Sequence, residues 1–244
     1  MAIDGDKIRK RCEYTVRPMK NEFDSIKGGL LEIARNFDPV GKRALTEEVD
    51  QMAHRAESFK EDNILSTVPL EVLEKGAAGF LVNLMNPGQK WLHLEPNDSV
   101  GDIVDIANGS GSRSEVIEAL ERMTLDVIDK EGGYVAAKTM FKDLLAYGFA
   151  CVIVKPDKER ICVPQCLPVG TYSFGVDGDG RVIRVERRFA MTAEELIREF
   201  GGSSRGRNAL PPDVIEAWKR GENSDSGNFV VRNLIEPNEE TYEV

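Results

Sequence analysis

Histidine and cysteine are scarce in this chain, and neither is spaced for chemistry. The only histidines are His54 and His93, and the four cysteines are Cys12, Cys151, Cys162 and Cys166. Zinc sites are built from paired C-x2-4-C knuckles or a supporting pair of histidines. Neither is present, so no metal and no cofactor is expected. The thiols are expected to be free, as in a reducing cytoplasm. Cys151, inside an apolar run, would act there as a small hydrophobe. Long apolar runs are also missing. No segment approaches the length of a membrane span, and the first residues lack the apolar stretch of a leader, so neither is expected. Positive charge is the third shortage: 32 Lys and Arg stand against 42 Asp and Glu, a net charge of −10. A free-standing nucleic-acid binder carries a basic surface to neutralise phosphates. An acidic chain is better suited to surround DNA without gripping it, because an acidic wall repels the phosphates.

What is present is enough for one or two domains. The chain has 244 residues, 41% hydrophobic and 30% charged, which places it among globular rather than disordered proteins. The organising stretch runs from Tyr134 to Tyr172. Val135, Ala136, Met140, Leu144 and Leu145 fall near a three-four spacing, the apolar face of a helix. Gly148 is placed to end it in a left-handed conformation. Phe149 to Val154 is an unbroken apolar run, expected to be a strand covered on both faces. Pro156 to Glu159 turns the chain, and Arg160 to Pro164 returns as the hairpin partner.

Upstream, residues 4–36 are predicted helical. Ile8, Cys12, Tyr14, Met19, Phe23, Ile26, Leu30 and Ile33 face inward, with a break or kink at Pro18 and a stop at Asp38-Pro39 and Gly41. Residues 42–64 have no clear period and are expected to be a loop with a short helix. Thr67 is expected to cap a helix with its hydroxyl, and Pro69 sits in the first turn. Its stripe is Leu70, Leu73, Ala77, Phe80, Leu81 and Leu84, and it stops at Asn86-Pro87-Gly88. Gln89 to Glu95 alternates, Trp91 and His93 on one face against Leu92 and Leu94, and is predicted to be a strand. No nucleophile or carboxylate partner is visible in sequence beside His93, so it is taken as a half-exposed strand residue, not a catalytic base. Residues 97–112 form a loop whose NGSGS run lacks the phosphate-binding G-x-x-x-x-G-K-[ST] pattern. A helix follows from Ser114 to Lys130, with Val116, Leu120, Met123 and Val127 inward and Gly132-Gly133 after it.

Downstream, Thr171 to Val176 and Arg181 to Met191 are predicted strands joined by Asp177-Gly178-Asp179-Gly180. That turn echoes the start of a calcium loop but lacks the rest of it, including the closing Glu, and is expected to be a tight hairpin turn. The second strand alternates Val182, Arg184 and Glu186 against Ile183, Val185 and Arg187. Thr192 to Glu195 is a capping box opening a helix through Phe200. Residues 202–209 form a basic loop. Leu210-Pro211-Pro212-Asp213 starts a helix that carries Trp218 and stops at Gly221, and Phe229 to Ile235 is a last strand. The fold class expected is α+β.

The order of these motifs resembles the portal, or head-to-tail connecting, proteins of short-tailed, T7-like bacteriophages. The resemblance rests on STVPLEVLEKGAAGFLVNLMNPGQKWLHLEP at 66–96 and FKDLLAYGFACVIVKPD at 141–157. It continues in LPVGTYSFGVDGDGRVIRVERRFAMTAEELIREFG at 167–201 and LPPDVIEAW at 210–218. It implies a wing-type α+β domain over 1–190, the start of a helical stem over 191–221 and the start of a clip over 222–244. It further implies a homo-oligomeric ring, usually of twelve subunits, at the portal vertex of a virion assembled in the host cytoplasm. The expected partners are the terminase large subunit, the capsid and scaffolding protein, tail adaptor proteins, and double-stranded DNA passing without sequence specificity. The resemblance implies no catalytic residue. Members are typically about twice this length, so a truncated or split version, or an assembly adaptor that forms no ring, is the alternative expectation. A carboxylate-dependent hydrolase would need a convergent acidic cluster, whereas the acids here interleave with Lys and Arg as on a solvated face. Arg184, Arg187 and Arg188 in the strand, with Arg205 and Arg207 in the loop, are the candidates for DNA or subunit contact.

Overall fold

Twelve elements follow one another in the computed structural model, which describes residues 5–39, 41–46, 66–95, 113–157, 159–201, 210–220 and 229–237. They are α1 (Gly5–Phe37), α2 (Lys42–Thr46), α3 (Val68–Leu84), α4 (Arg113–Lys130), α5 (Gly133–Tyr147), β1 (Cys151–Pro156) and β2 (Cys162–Leu167). Then come β3 (Tyr172–Val176), β4 (Val182–Met191), α6 (Ala193–Phe200), α7 (Pro212–Arg220) and β5 (Phe229–Ile235). Helices and small antiparallel sheets make this an α+β chain. The described residues fall into two compact units: those within 66–167, and those before and after that span.

The 66–167 unit is built on the α3–α5 pair. Ala77, Ala137 and Phe141 are buried between the helices, with Leu81, Met85 and Met140 packed on them. Phe80 stacks on Phe141 at 6.0 Å between ring centres. Small residues at 77 and 137 let the helices approach, and one aromatic fills the seam. Lys138 and Lys142 close the rim on Glu74 at 3.0 and 3.3 Å, holding that carboxyl below its usual range, with the Lys138 hydrogen bond the main cause. Gly148 ends α5 at φ +81°, its N–H donating to Leu144 O, as the sequence predicts.

Several sequence expectations are corrected here. The buried side of α5 is Ala136, Ala137, Phe141, Asp143 and Tyr147, while Val135, Leu144 and Leu145 are exposed. In α3, Leu73 and Ala77 are buried and Phe80 and Leu84 are exposed. Thr67 makes no side-chain cap; Ser66 Oγ accepts from Val68 N–H instead. Leu120 and Met123 of α4 are exposed. Gln89 to Glu95 forms no strand and pairs with no described strand. The β1–β2 ribbon, in register Cys151↔Leu167 through Pro156↔Cys162, is covered on one side only, leaving Val154 61% exposed. It rests on α5, where Cys166 Sγ lies 3.5 Å from Asp143 Oδ2. Burial, reinforced by that carboxylate, pushes the Cys166 thiol up to about 12.

In the other unit α1 runs unbroken through Pro18. Its buried side is Val16, Met19, Phe23, Leu30 and Ala34, while Tyr14 and Ile26 face water; the side chain of Ile8 lies outside the described set. The sheet runs β3–β4–β5, antiparallel throughout with β4 central. The Asp177–Gly180 turn is the expected hairpin, with Asp177 Oδ1 accepting from the N–H groups of Asp179 and Arg181. The capping box of α6 forms as predicted: Thr192 Oγ1 accepts from Glu195 N–H and Glu195 Oε2 from Thr192 N–H. Ala193, Leu196, Val214 and Ala217 of α6 and α7 form a second core on Met191, Phe229 and Val231 of the sheet. Gly170, at φ +110°, brings the start of the sheet onto α2, where any Cβ would lie 2.3 Å from Ala44 O. Only glycine suits that position. The expected loops at 47–64 and 97–112 lie outside the described residues.

Candidate contact site

The arginines singled out in β4 sit on a strand whose register assigns their faces. Side chains alternate along a strand, so Arg184, Glu186 and Arg188 share one face and Arg187 and Phe189 the other. The cross-strand partners extend each face: Ser173 and Leu234 flank Glu186, Arg232 is opposite Arg188, and Tyr172 and Asn233 flank Arg187.

Arg187 is buried, its guanidinium 4.2 Å from the centre of the Phe189 ring. Its Nε makes no hydrogen bond, and the ring face carries part of the charge instead. Arg188 is turned inward as well. Its N–H donates to Thr171 O at 2.8 Å and its Nη2 to Gly170 O at 3.2 Å. Its Nε stands 3.8 Å from Glu186 Oε2. Glu186 is 2% exposed and also accepts from Ser173 Oγ at 3.0 Å, with Arg232 Nε at 4.0 Å from its other oxygen. A carboxylate in the middle of a sheet is tolerable only with such a set of donors.

The same face continues outward. Arg184 Nε is 3.7 Å from Glu236 Oε2, and Arg11 Nη2 of α1 reaches Glu236 Oε1 at 2.9 Å. Four arginines thus share two glutamates, leaving an excess of positive charge in an acidic chain. Arg11, Arg184 and Arg232 keep about half of their side-chain surface exposed. Of the arginines singled out in sequence, Arg184 and Arg188 lie in this row. Glu186 is on the same face in the sequence alternation, while Arg11, Arg232 and Glu236 join the row only in the structure. Nothing in the sequence pairs Arg232 of the last strand with Arg188, which the register places opposite it. Arg205 and Arg207 lie outside the described residues.

His93 is exposed, as expected of a surface residue, but lies in no strand. Its Nδ1 is 2.8 Å from Glu121 Oε1, and Lys90 Nζ meets the other carboxylate oxygen. The carboxylate that sequence could not place beside it comes from α4. No group of three or more metal-ligating side chains converges among the described residues, and no described helix is long and apolar enough to cross a membrane.

Residues 9–243 match the family model described as bacteriophage head to tail connecting protein. The chain is similar to the "Probable portal protein" of Bordetella phage BPP-1, 28% identical over 162 residues, which is 65% of this chain and 28% of that protein. It is also similar to the "Portal protein" of Salmonella phage epsilon15, 24% identical over 193 residues, 79% of this chain and 33% of that protein. The chain matches about a third of the length of these relatives.

Proposed function

Because the chain belongs to the bacteriophage head to tail connecting protein family, we propose that it is a structural virion protein acting at the portal vertex, without enzymatic activity. In this reading copies of the chain close a ring, twelve-fold as in the resemblance, through head-to-tail interfaces that close by rotation. DNA passes through the ring during packaging and ejection. The terminase large subunit, the capsid and scaffolding protein, and the tail adaptors are its partners, and assembly takes place in the host cytoplasm.

The observation that carries this reading is the family match running through nearly all of the chain. The acidic net charge supports it, since a channel must let DNA slide. Within the ring we assign residues 1–190 to wing, 191–221 to the start of stem and 222–244 to the start of clip. Arg184, Arg187, Arg188, Arg205 and Arg207 are the proposed contacts to DNA or to a neighbouring subunit, with Arg184 and its neighbours Arg11 and Arg232 offering the most exposed charge.

Light scattering on the purified chain, followed by negative-stain imaging, tests the ring. Large species with a central hole are expected. A monomer at every concentration would overturn ring closure by this chain alone and favour the adaptor reading.

A further inference from the structure

The hydrogen bonds and ion pairs of residues 89–95 reach the helices through few groups. Gln89 N–H closes the preceding turn on Asn86 O at 3.1 Å. Beyond it, the segment's hydrogen bonds among the described residues go to two side chains. Lys90 Nζ, His93 Nδ1 and Leu94 N–H all meet the carboxylate of Glu121, the last two at 2.8 Å. Trp91 Nε1 donates to Tyr134 OH at 3.1 Å. Glu121 is 1% exposed, and it is the one buried side chain among those described on α4. A helix normally turns an apolar residue to its buried position. A carboxylate there is stable only while charged and polar donors saturate it. Those donors come from residues 90–94. They hold its carboxyl below the usual range, the Lys90 hydrogen bond first and the Leu94 N–H second. The apolar core of the α3–α5 pair is complete without the segment: Ala77, Ala137 and Phe141 take no partner from 89–95.

We propose that residues 89–95 are a strap clasped to α4 by Glu121, and that the strap opens as a unit, leaving the α3–α5 pair closed, when the charge of that carboxylate is removed. The proposal does not depend on ring formation. It accounts for an alternating segment that joins no sheet: its backbone is fixed by a side chain rather than by a neighbouring strand.

Hydrogen exchange read by mass spectrometry on the full chain tests it. Glu121→Ala is expected to speed exchange of the Leu94 amide, the one backbone N–H of the segment that Glu121 accepts from, about tenfold or more, as for loss of a charged hydrogen-bond acceptor, while peptides covering 136–147 keep their protection. Glu121→Gln retains an acceptor for Leu94 N–H without the charge and should fall between. Tyr134→Phe removes only the Trp91 bond and should give the smallest change. In a Trp218→Phe background, Trp91 emission should shift to the red in Glu121→Ala. Unchanged exchange at 89–95 would overturn the clasp. So would equal loss of protection at 89–95 and 136–147, which would make Glu121 part of the unit's core. If Glu121→Ala does not fold, the Lys90→Met, His93→Gln double variant gives the same readout, with the same two outcomes deciding.

Discussion

The α3–α5 seam and the β3–β4–β5 sheet place charge in opposite positions. Between α3 and α5 the seam is apolar, with Ala77, Ala137 and Phe141 at its centre, and the ion pairs of Glu74 with Lys138 and Lys142 lie at its rim. In the sheet unit the central strand carries Glu186 and Arg187 buried on its two faces, with Arg188 and Arg232 drawn toward Glu186. The apolar cluster of that unit lies to one side, where α6 and α7 meet Met191, Phe229 and Val231. A helix pair needs only shape to hold it. A sheet with a buried carboxylate needs a specific set of donors, so it specifies its register more tightly than a run of valines would.

The strongest way to break this contrast is to empty the helical seam. Phe141→Ala should cost about 3–4 kcal/mol, since it removes a buried aromatic and leaves a cavity between helices that cannot fully collapse. Denaturant unfolding, with exchange assigning the loss to α3 and α5, would measure it. A cost under about 1 kcal/mol would mean the seam is not the core of that unit. Next comes the sheet. Glu186→Ala should cost about 2–3 kcal/mol, because two arginines and Ser173 lose their acceptor. Glu186→Leu should recover part of that if charge is needed for register rather than for stability. A full recovery would erase the distinction between the two units.

Smaller effects sharpen the comparison. Thr192→Ala should cost about 1 kcal/mol by opening the capping box of α6, with Glu195→Ala behaving alike because the two bonds are reciprocal. At the helical rim, Glu74→Gln should cost only a few tenths of a kcal/mol, as for exposed ion pairs, and less in high salt. Its pH dependence follows from the sign of its shift. The folded carboxyl titrates below the unfolded one, so its contribution is present above the ordinary carboxylate range and is lost as pH falls through the lower, folded value. Stability curves of the wild type and Glu74→Gln should therefore converge in acid; curves that stay parallel would remove Glu74 from the account.

Local signals were legible wherever the backbone itself carries the chemistry. The capping box at Thr192, the glycine stop at Gly148 and the Asp177–Gly180 hairpin follow from residues within a few positions of one another. Helix faces were harder. In α5 apolar residues surround most of the helix, so spacing alone cannot choose between Leu144 and Phe141; the small Ala77 across the seam decides for Phe141. The alternation of residues 89–95 predicts a strand that the structure does not form, because a side chain on α4 takes the place of a neighbouring strand. The arginine row needed Arg11 and Glu236 from opposite ends of the chain, and no short-range pattern joins them.

The contact between Gly170 and Ala44 has a consequence for the order in which the chain can fold. Those residues lie in one unit, yet the whole of 66–167 is synthesised between them. The helical unit is contiguous in sequence, so all its contacts are available once residue 167 has left the ribosome. The sheet unit must wait. Its α1 and α2 emerge first, and β4 gains its second partner only when β5 appears. Long loop closure of this kind is slow relative to local helix pairing. During synthesis, the apolar stripe of α1 therefore stays uncovered until the whole of 66–167 has passed and β3 appears, where Gly175 meets Met19.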